Sequence, residues 1–577
     1  MIFNRRDFLL YSGWLGSGLL LPKRARALAN SAPLKMNWTP APGSNTIRFE
    51  DITSKTGLHF ITENCPTPNK NQPETMVGGI GLIDYDNDGY LDIFFLNGAA
   101  LPSLKKDDPK YYNRLFHNNR DGTFTDVTEK AGLAGEGYDM GVAIGDFDND
   151  GWPDIFVASV TKNRLYRNNG NGTFTDVTDK AGVGMPMYKG EKMWSAAAGW
   201  VDYDNDGKLD LFVSNYCRWH VDGDPVCMGG GRERAYCHPK FYQPLRCTLY
   251  HNNGDGTFTD VSEETGISRT PVKGMGIGFN DFDGDGFIDI FVANDNMPNT
   301  LFHNIGGKRF EEVGLDVGVA FAESGQAVSG MGAEFRDLDN DGLPDVWITA
   351  TELETFPLFR NIGKGMFDDY TGRSGLAQYT MEMSGWGNGV GDFDNDGLKD
   401  LCVARGNVLD NIADFSDRTY AEPFSVFRNM GHMKFENVSK QCGPAIEVAM
   451  PYRGCVIGDL FNTGHLDIVT TALGHNHARI LRNVTSNTNN WVKFHLTGTR
   501  SNRMAIGAQL TITTEDGSRQ HDIVSTSAGY QASRDHRVHF GLGPFHSVKL
   551  VEIRWPSGTR QVLRDVPANQ IHQIKES

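Results

Sequence analysis

At 577 residues the chain is too long for one core of ordinary size, so several domains or a repeat architecture is expected. Its formal charge of −17 argues against a nucleic-acid binder, which needs basic surface to neutralise phosphate. Its 67 glycines concentrate in short aspartate- and asparagine-rich loops, which is turn chemistry between strands and not the composition of a helical protein.

Residues 1–29 read as an export signal. Arg5 and Arg6 precede Phe8 and Leu9, a moderately apolar run reaches Leu21, and a basic stretch leads to Ala27-Leu28-Ala29. The apolar run falls short of the ~18–20 residues needed to span a bilayer, and glycines interrupt it. RRDFL resembles the twin-arginine signal, and cleavage is expected near Ala29. No cysteine follows for a lipid anchor, and no later stretch suits a transmembrane segment. The mature chain is therefore expected to be periplasmic or secreted, where calcium is plentiful.

From residue 47 to 486 the sequence repeats. DYDNDGYLD begins at 84, close copies begin at 146, 202, 281, 337 and 392, and a decayed copy, DLFNTGHLD, begins at 459. Between the loops runs a second motif, NRLFHNNRDGTFTDVTEKAGL at 113 and its copies. One unit reads strand, aspartate loop, strand, strand, glycine turn, strand. Seven such units predict an all-β, seven-bladed β-propeller in which each blade is one sheet. The seventh loop is followed by ARILRNVT but by no FxDVT strand, whereas a spare FEDIT stands at 49. The N-terminal strand is expected to complete the last blade and close the ring.

Four aspartates in nine residues repel one another, so six copies need a counter-charge. Carboxylates at positions 1, 3, 5 and 9 and a glycine at 6 supply hard oxygens around a sharp bend, which suits Ca2+, and position 7 can add its carbonyl. The expected ligands in the first loop are Asp84, Asp86, Asp88, Tyr90 (carbonyl) and Asp92. In the second and third they are Asp146, Asp148, Asp150, Trp152 and Asp154, then Asp202, Asp204, Asp206, Lys208 and Asp210. In the fourth and fifth they are Asp281, Asp283, Asp285, Phe287 and Asp289, then Asp337, Asp339, Asp341, Leu343 and Asp345. The sixth offers Asp392, Asp394, Asp396, Leu398 and Asp400. The alternative is a metal-free Asx-rich turn, against which six near-identical copies weigh. An EF-hand is rejected because Ile93-Phe94-Phe95 already reads as a strand where its glutamate and helix belong. Six ions would cut the formal charge to about −5. The seventh loop keeps Asp459 and Asp467 but has Phe461 and Thr463 where carboxylates belong, and is expected to be metal-free.

Residues 491–577 alternate polar and apolar (VKFHL, QLTIT, KLVEIRW) and predict a small β-domain after a linker at 487–490. The aspartate loop between two strands resembles the FG-GAP (VCBS-type) repeats of integrin α-subunits and their bacterial relatives. MAIGAQLTIT, FGLG, RWPSG and VPANQ within 504–574 resemble the ASPIC/UnbV domain that follows such repeats in the cartilage acidic protein family. The resemblance implies an integrin α-like, calcium-bearing propeller with a C-terminal β-domain, and a role in adhesion or matrix contact.

An insert at 215–247 lengthens the connection between the second and third strands of blade three. Cys217, Cys227, Cys237 and Cys247 recur there every ten residues, with His220 and His238 nearby. Disulfides are favoured over zinc, since no CxxC pair is present and the compartment is oxidising. Cys442 and Cys455 are a further candidate pair, while Cys65 and Cys402 are unassigned. The insert gathers Arg218, Trp219, His220, Arg232, Arg234, Tyr236, His238, Phe241 and Tyr242, which suit an anionic or sugar-like ligand, unless the insert is only a disulfide-pinned cover. His475 and His477 read as a polar turn. GxSxG, HExxH and Walker motifs are absent, and no catalytic residue is assigned. The expected function is a binding or adhesion module for an extracellular protein or carbohydrate. The alternative is an extracytoplasmic polysaccharide lyase or hydrolase using the propeller funnel.

Overall fold

In the computed structural model, which describes residues 46–577 except Arg232, each repeat folds into a four-stranded antiparallel sheet. The export-signal reading at 1–29 lies outside the described residues. Blade 1 comprises Ile80–Ile83, Asp92–Phe95, Arg114–Asn118 and Phe124–Asp126. Six further sheets follow, and the innermost strands touch in chain order until the last, Tyr452–Gly458, meets the first. The result is a closed ring of seven blades. Inner strands crowd the axis, which explains their glycines: a Cβ at Gly276 would sit 2.5 Å from the Ala333 nitrogen.

Two side-chain devices recur in the ring. The asparagine ending each third strand reaches back to the preceding blade: Asn168 Nδ2 donates to the Tyr85 carbonyl (2.8 Å), Asn304 to Tyr203 (2.8 Å), and Asn118 closes the circle on Leu460 (2.8 Å). The FxDVT motif is a clasp. Asp126 accepts from the Thr128 amide and hydroxyl, and that hydroxyl accepts the Leu115 amide at 2.9 Å, tying the fourth strand to the third.

Blade 7 is completed from the other end of the chain. Phe49–Asp51 pairs antiparallel with Arg479–Asn483, and Asp51 and Thr53 make the same clasp, here on the Ile480 amide (2.9 Å). Ile47 and Phe49 are buried beneath it. Deleting residues 47–53 should leave Arg479–Asn483 as an unpaired apolar edge, so the protein should elute as aggregate in size-exclusion chromatography. A soluble monomer with unchanged melting would refute this role.

The C-terminal region forms a three-stranded sheet (Val538–Gly543, Asn490–Thr497, Ile571–Lys575) and a four-stranded one (Arg519–Ile523, Gln509–Thr514, Ser547–Arg554, Arg560–Pro567). Val492, Leu510 and Trp555 share one apolar core with Phe147 and Trp200 of the propeller, so the two regions are continuous. The asparagines at 487 and 489 are held in place, both donating to the Asp394 carbonyl (2.7 and 2.8 Å). From the C-terminal region a hairpin, Ser527–Ala528 and Ala532–Ser533, enters the central channel. Ser533 pairs with Gly81 of blade 1, Tyr530 bridges Gly276 of blade 4, and the Tyr530 hydroxyl donates to the Met76 carbonyl at 2.7 Å.

The cysteines depart from expectation. Only Cys227 and Cys237 of the insert are joined; Cys217 and Cys247 are buried and free, each held in a different apolar cluster. Cys442 does not meet Cys455. The inner strand of blade 7 turns Cys455 toward the second strand of blade 6, where Cys402 Sγ lies 3.8 Å away, while the Cys442 thiol donates to the Val438 carbonyl.

Candidate functional site

The seven loops lie on one face of the ring, and their aspartates divide into two kinds. In every blade the position-6 glycine amide donates to position 1, as Gly89 does to Asp84 (2.9 Å) and Gly464 to Asp459 (2.9 Å). Position 9 accepts two amides in every blade: Asp92 takes Asn118 (2.7 Å) and Tyr85 (3.3 Å), and Asp467 takes Asn483 (2.9 Å) and Leu460 (3.2 Å). Positions 1 and 9 therefore shape the loop, which is why the seventh retains both. Positions 3 and 5 are the ones it has lost.

Position 5 accepts the amide of position 7, so Tyr90, Trp152, Lys208, Phe287, Leu343 and Leu398 meet their loops through the backbone, and their side chains are free to differ. At position 3, Asp86 Oδ1, Asp339 Oδ1 and Asp394 Oδ1 are buried atoms without a hydrogen-bond donor, as is Asp202 Oδ1 at position 1 of the third loop. Such orphaned anionic oxygens are where a hard cation would bind.

A third-strand side chain faces each of the six loops. Arg167 reaches Asp148 (2.5 Å) and Asp150 (2.6 Å), and Arg360 and Arg428 do the same in the fifth and sixth loops. His117 Nδ1 lies 3.1 Å from Asp92, His251 Nδ1 3.2 Å from Asp210, and His303 Nε2 3.1 Å from Asp283. These six were missed from sequence. The signal was the basic residue directly before the asparagine of every LFHN, LYRN or VFRN.

Position 4 was missed too. Asn87 Nδ2 donates to the Gly151 carbonyl of the next loop (2.9 Å), Asn149 to Gly207 (3.0 Å), and Asn462 closes on Gly89 (2.8 Å). Each asparagine has a positive φ that lets its side chain lie along the ring. Only the fourth loop, with Gly284 at this position, omits the bond.

With no ion to balance them, burial and repulsion from neighbouring aspartates would push these carboxyls up: Asp202 to about 8, Asp146 and Asp337 to about 7. The seventh loop behaves oppositely. Burial raises Asp459 as well, but the Lys493 ammonium of the C-terminal region, 2.8 Å away and equally buried, outweighs it and holds the carboxyl low. Where two carboxylates are missing, an ammonium supplies the positive charge.

The C-terminal region covers this loop face. The Arg503 amide donates to Asn149 Oδ1 (2.8 Å), Arg537 to the Gly89 carbonyl (3.0 Å), and Arg554 lies 3.5 Å from Asp281. The insert leaves the end of Asp210–Asn215 remote from the loop and so occupies the opposite face. Several of its aromatic side chains turn inward. Trp219 is buried, the Tyr236 hydroxyl donates to Glu74 (3.1 Å) and that of Tyr242 to Asp224 (2.6 Å), leaving Arg218, His220, His238 and Phe241 exposed and Arg234 half-buried. His475 is exposed beside Glu63 (3.3 Å), and His477 bridges Ile61.

Fold and loops together define a β-propeller of aspartate-loop repeats capped by a C-terminal β-domain. The FG-GAP-like repeat model matches residues 84–157, 146–213, 243–292, 281–348 and 337–403, just over half of the chain, and the ASPIC and UnbV model matches residues 498–577. The chain belongs to the FG-GAP-like repeat family and carries the ASPIC and UnbV domain. It is similar to cartilage acidic protein 1 of Homo sapiens, 24% identical over 534 residues that cover 89% of this chain and 74% of that protein. The Mus musculus protein is likewise 24% identical, with 89% and 76% covered. Among solved structures, an Agrocybe aegerita lectin that recognises non-reducing terminal N-acetylglucosamine is 17% identical, with a TM-score of 0.37 over 66% of this chain and 87% of that one. BBS1N, solved with ARL6DN, is 10% identical, with a TM-score of 0.39 over 71% and 94%. Among the described residues no helix is long and apolar enough to cross a membrane.

Proposed function

We propose that the protein is an exported propeller, rigidified by about six Ca2+ ions, that binds an extracellular protein or carbohydrate partner on its insert face. The observation that carries this reading is the division of the two faces. The C-terminal region covers the aspartate loops and its hairpin fills the channel, which leaves the insert face open and favours binding over the alternative of a lyase or hydrolase acting through the funnel. That open face carries solvent-exposed apolar side chains on neighbouring elements, Met187, Val226, Met228 and Phe241, alongside Arg218 and His220. Exposed apolar groups rimmed by polar ones mark interaction surfaces. The similarity to cartilage acidic protein 1, named for an extracellular tissue, supports the compartment. In the loops, Asp202, Asp339 and Asp394 offer unpartnered oxygens to an ion, and the buried Lys493 beside the seventh loop supports the reading that the others take a positive charge.

The test replaces residues 220–242 with a short Gly/Ser linker and screens parent and variant on a glycan array and immobilised matrix proteins. Binding by the parent that falls at least tenfold in a folded variant with the same calcium content is expected. Equal binding by both would reduce the insert to a cover.

A further inference from the structure

At the channel mouth on the insert face, the starts of the inner strands leave a cavity of about 290 Å³. Met76, Met275, Met331 and Trp386 supply apolar walls. Asp295, Glu352 and Glu354 line it as well, and no lysine or arginine among the described residues does. Glu354 is fixed by the Ser329 amide (2.7 Å) and the Thr351 hydroxyl (3.0 Å), and Glu352 by Asn407 (3.0 Å), so their charges are set in position.

Two further acceptors are not satisfied. Asp295 Oδ1 and Gln72 Oε1 have no hydrogen-bond donor, although each side chain is only 3% exposed. They are the two ends of one hydrogen-bond chain: Gln72 Nε2 donates to the Tyr216 hydroxyl (3.4 Å), which donates to Asp295 Oδ2 (2.6 Å). The Tyr216 hydroxyl proton goes to Asp295 Oδ2 and so reaches neither orphaned oxygen. The nearest cations are committed elsewhere: Lys273 donates to the Pro239 carbonyl (2.7 Å), and Arg453, stacked 3.9 Å from Trp386, gives its donors to the Thr75, Tyr452 and Asn407 carbonyls. Burial, with the nearby Glu354 charge, keeps the Asp295 carboxyl up at about 6 although Tyr216, Lys273 and Ser329 pull it down. Buried acceptors in a cavity of this size call for a ligand that brings donors, and three carboxylates without a lining cation call for one that brings positive charge.

We propose that this cavity binds a small organic cation bearing N–H donors, an alkylammonium or guanidinium compound, through Asp295 and Gln72. The inference deepens the reading of the insert face as the binding face and rests on it. Titration calorimetry on the full, calcium-loaded chain in Tris-free buffer tests it with four probes: putrescine and agmatine, choline as a cation without N–H donors, and glucose as a donor without charge. Putrescine or agmatine should bind, choline at least tenfold more weakly, and glucose not at all. Asp295→Asn keeps the Tyr216 bond but removes the charge and should weaken amine binding at least tenfold; Gln72→Met, which removes only the second acceptor, should weaken it less. Absence of amine binding by the parent chain, or equal binding by the parent and either folded variant, overturns the proposal. The readout is independent of the partner screen. Partner capture by a chain that binds no amine sinks this inference alone, and amine binding without any partner capture sinks only the macromolecular reading.

Discussion

Removing the metal from the loaded protein should lower its melting temperature by tens of degrees at pH 8, and by much less at pH 5.5. A site held at a hundred times its Kd adds about 2.7 kcal/mol to the folded state, so three filled loops already contribute about 8 kcal/mol, comparable to the whole stability of an ordinary domain. The pH dependence follows from the loops. Without metal, burial and mutual repulsion raise Asp202 to about 8, Asp146 and Asp337 to about 7, and Asp84 to about 6, above the unfolded value near 3.9. A carboxyl raised on folding binds more protons in the native state, so the metal-free chain loses stability as pH rises through these values. The loaded chain runs the other way, because protons compete with the ion for the same oxygens as pH falls. The two melting curves should therefore converge toward pH 5.5. Metal analysis finding fewer than about three calcium ions per chain, or melting insensitive to chelator at pH 8, would remove calcium from this account.

What was readable in the sequence, and what was not, divides by distance along the chain. The loops, the FxDVT motif and the fourth strand missing after the seventh loop are local patterns, each written within a few consecutive residues, and repetition made them legible. Even the closure by Phe49–Asp51 was legible, because it is an accounting statement about strands and needs no contact to be known. The partners that complete each loop lie elsewhere. His117 stands 25 positions beyond Asp92, and Lys493 stands 34 beyond Asp459, in what alternation alone marks as a separate domain. Nothing in SAGYQAS states that it forms a hairpin entering a channel whose inner strands lie 72 to 450 residues earlier. The cysteines fail for the same reason: even spacing in the insert suggested two bridges, but Cys217 and Cys247 belong to different apolar clusters, and the thiol nearest Cys455 comes from the neighbouring blade. The aromatic groups of the insert were read as facing an anionic or sugar-like ligand, unless the insert was only a cover. Tyr236 and Tyr242 instead serve the buried Glu74 and the half-buried Asp224.

Lys493→Met should cost about 3–5 kcal/mol, the penalty for leaving one member of a fully buried ion pair alone. Both side chains of the Lys493–Asp459 pair are almost wholly inaccessible, at 1% and 0% exposure, so water cannot replace the ammonium. Asp459 cannot turn away either, because its two oxygens hold the Thr463 and Gly464 amides (2.8 and 2.9 Å) that form the loop. In the parent the carboxyl is held below its ordinary value, so its contribution is present at neutral pH and lost only in acid. In the variant burial acts unopposed and the carboxyl rises, joining Asp467, already at about 8; the destabilisation should be greatest at alkaline pH and should fade as pH drops. A second change separates lost charge from lost packing. Phe461→Asp with Thr463→Asp, added to Lys493→Met, rebuilds positions 3 and 5 of the loop, and Arg482 already occupies the place that Arg167, Arg360 and Arg428 hold in their blades. Phe461 sits under the Arg482 guanidinium, 4.7 Å from it, and contributes to the core, so recovery should be partial. It should also require calcium, and metal analysis should find one more ion per chain than in the parent. A Lys493→Met variant within about 1 kcal/mol of the parent, below the usual cost of an orphaned buried charge, or a triple variant indifferent to calcium, would show that the ammonium does not stand where an ion would.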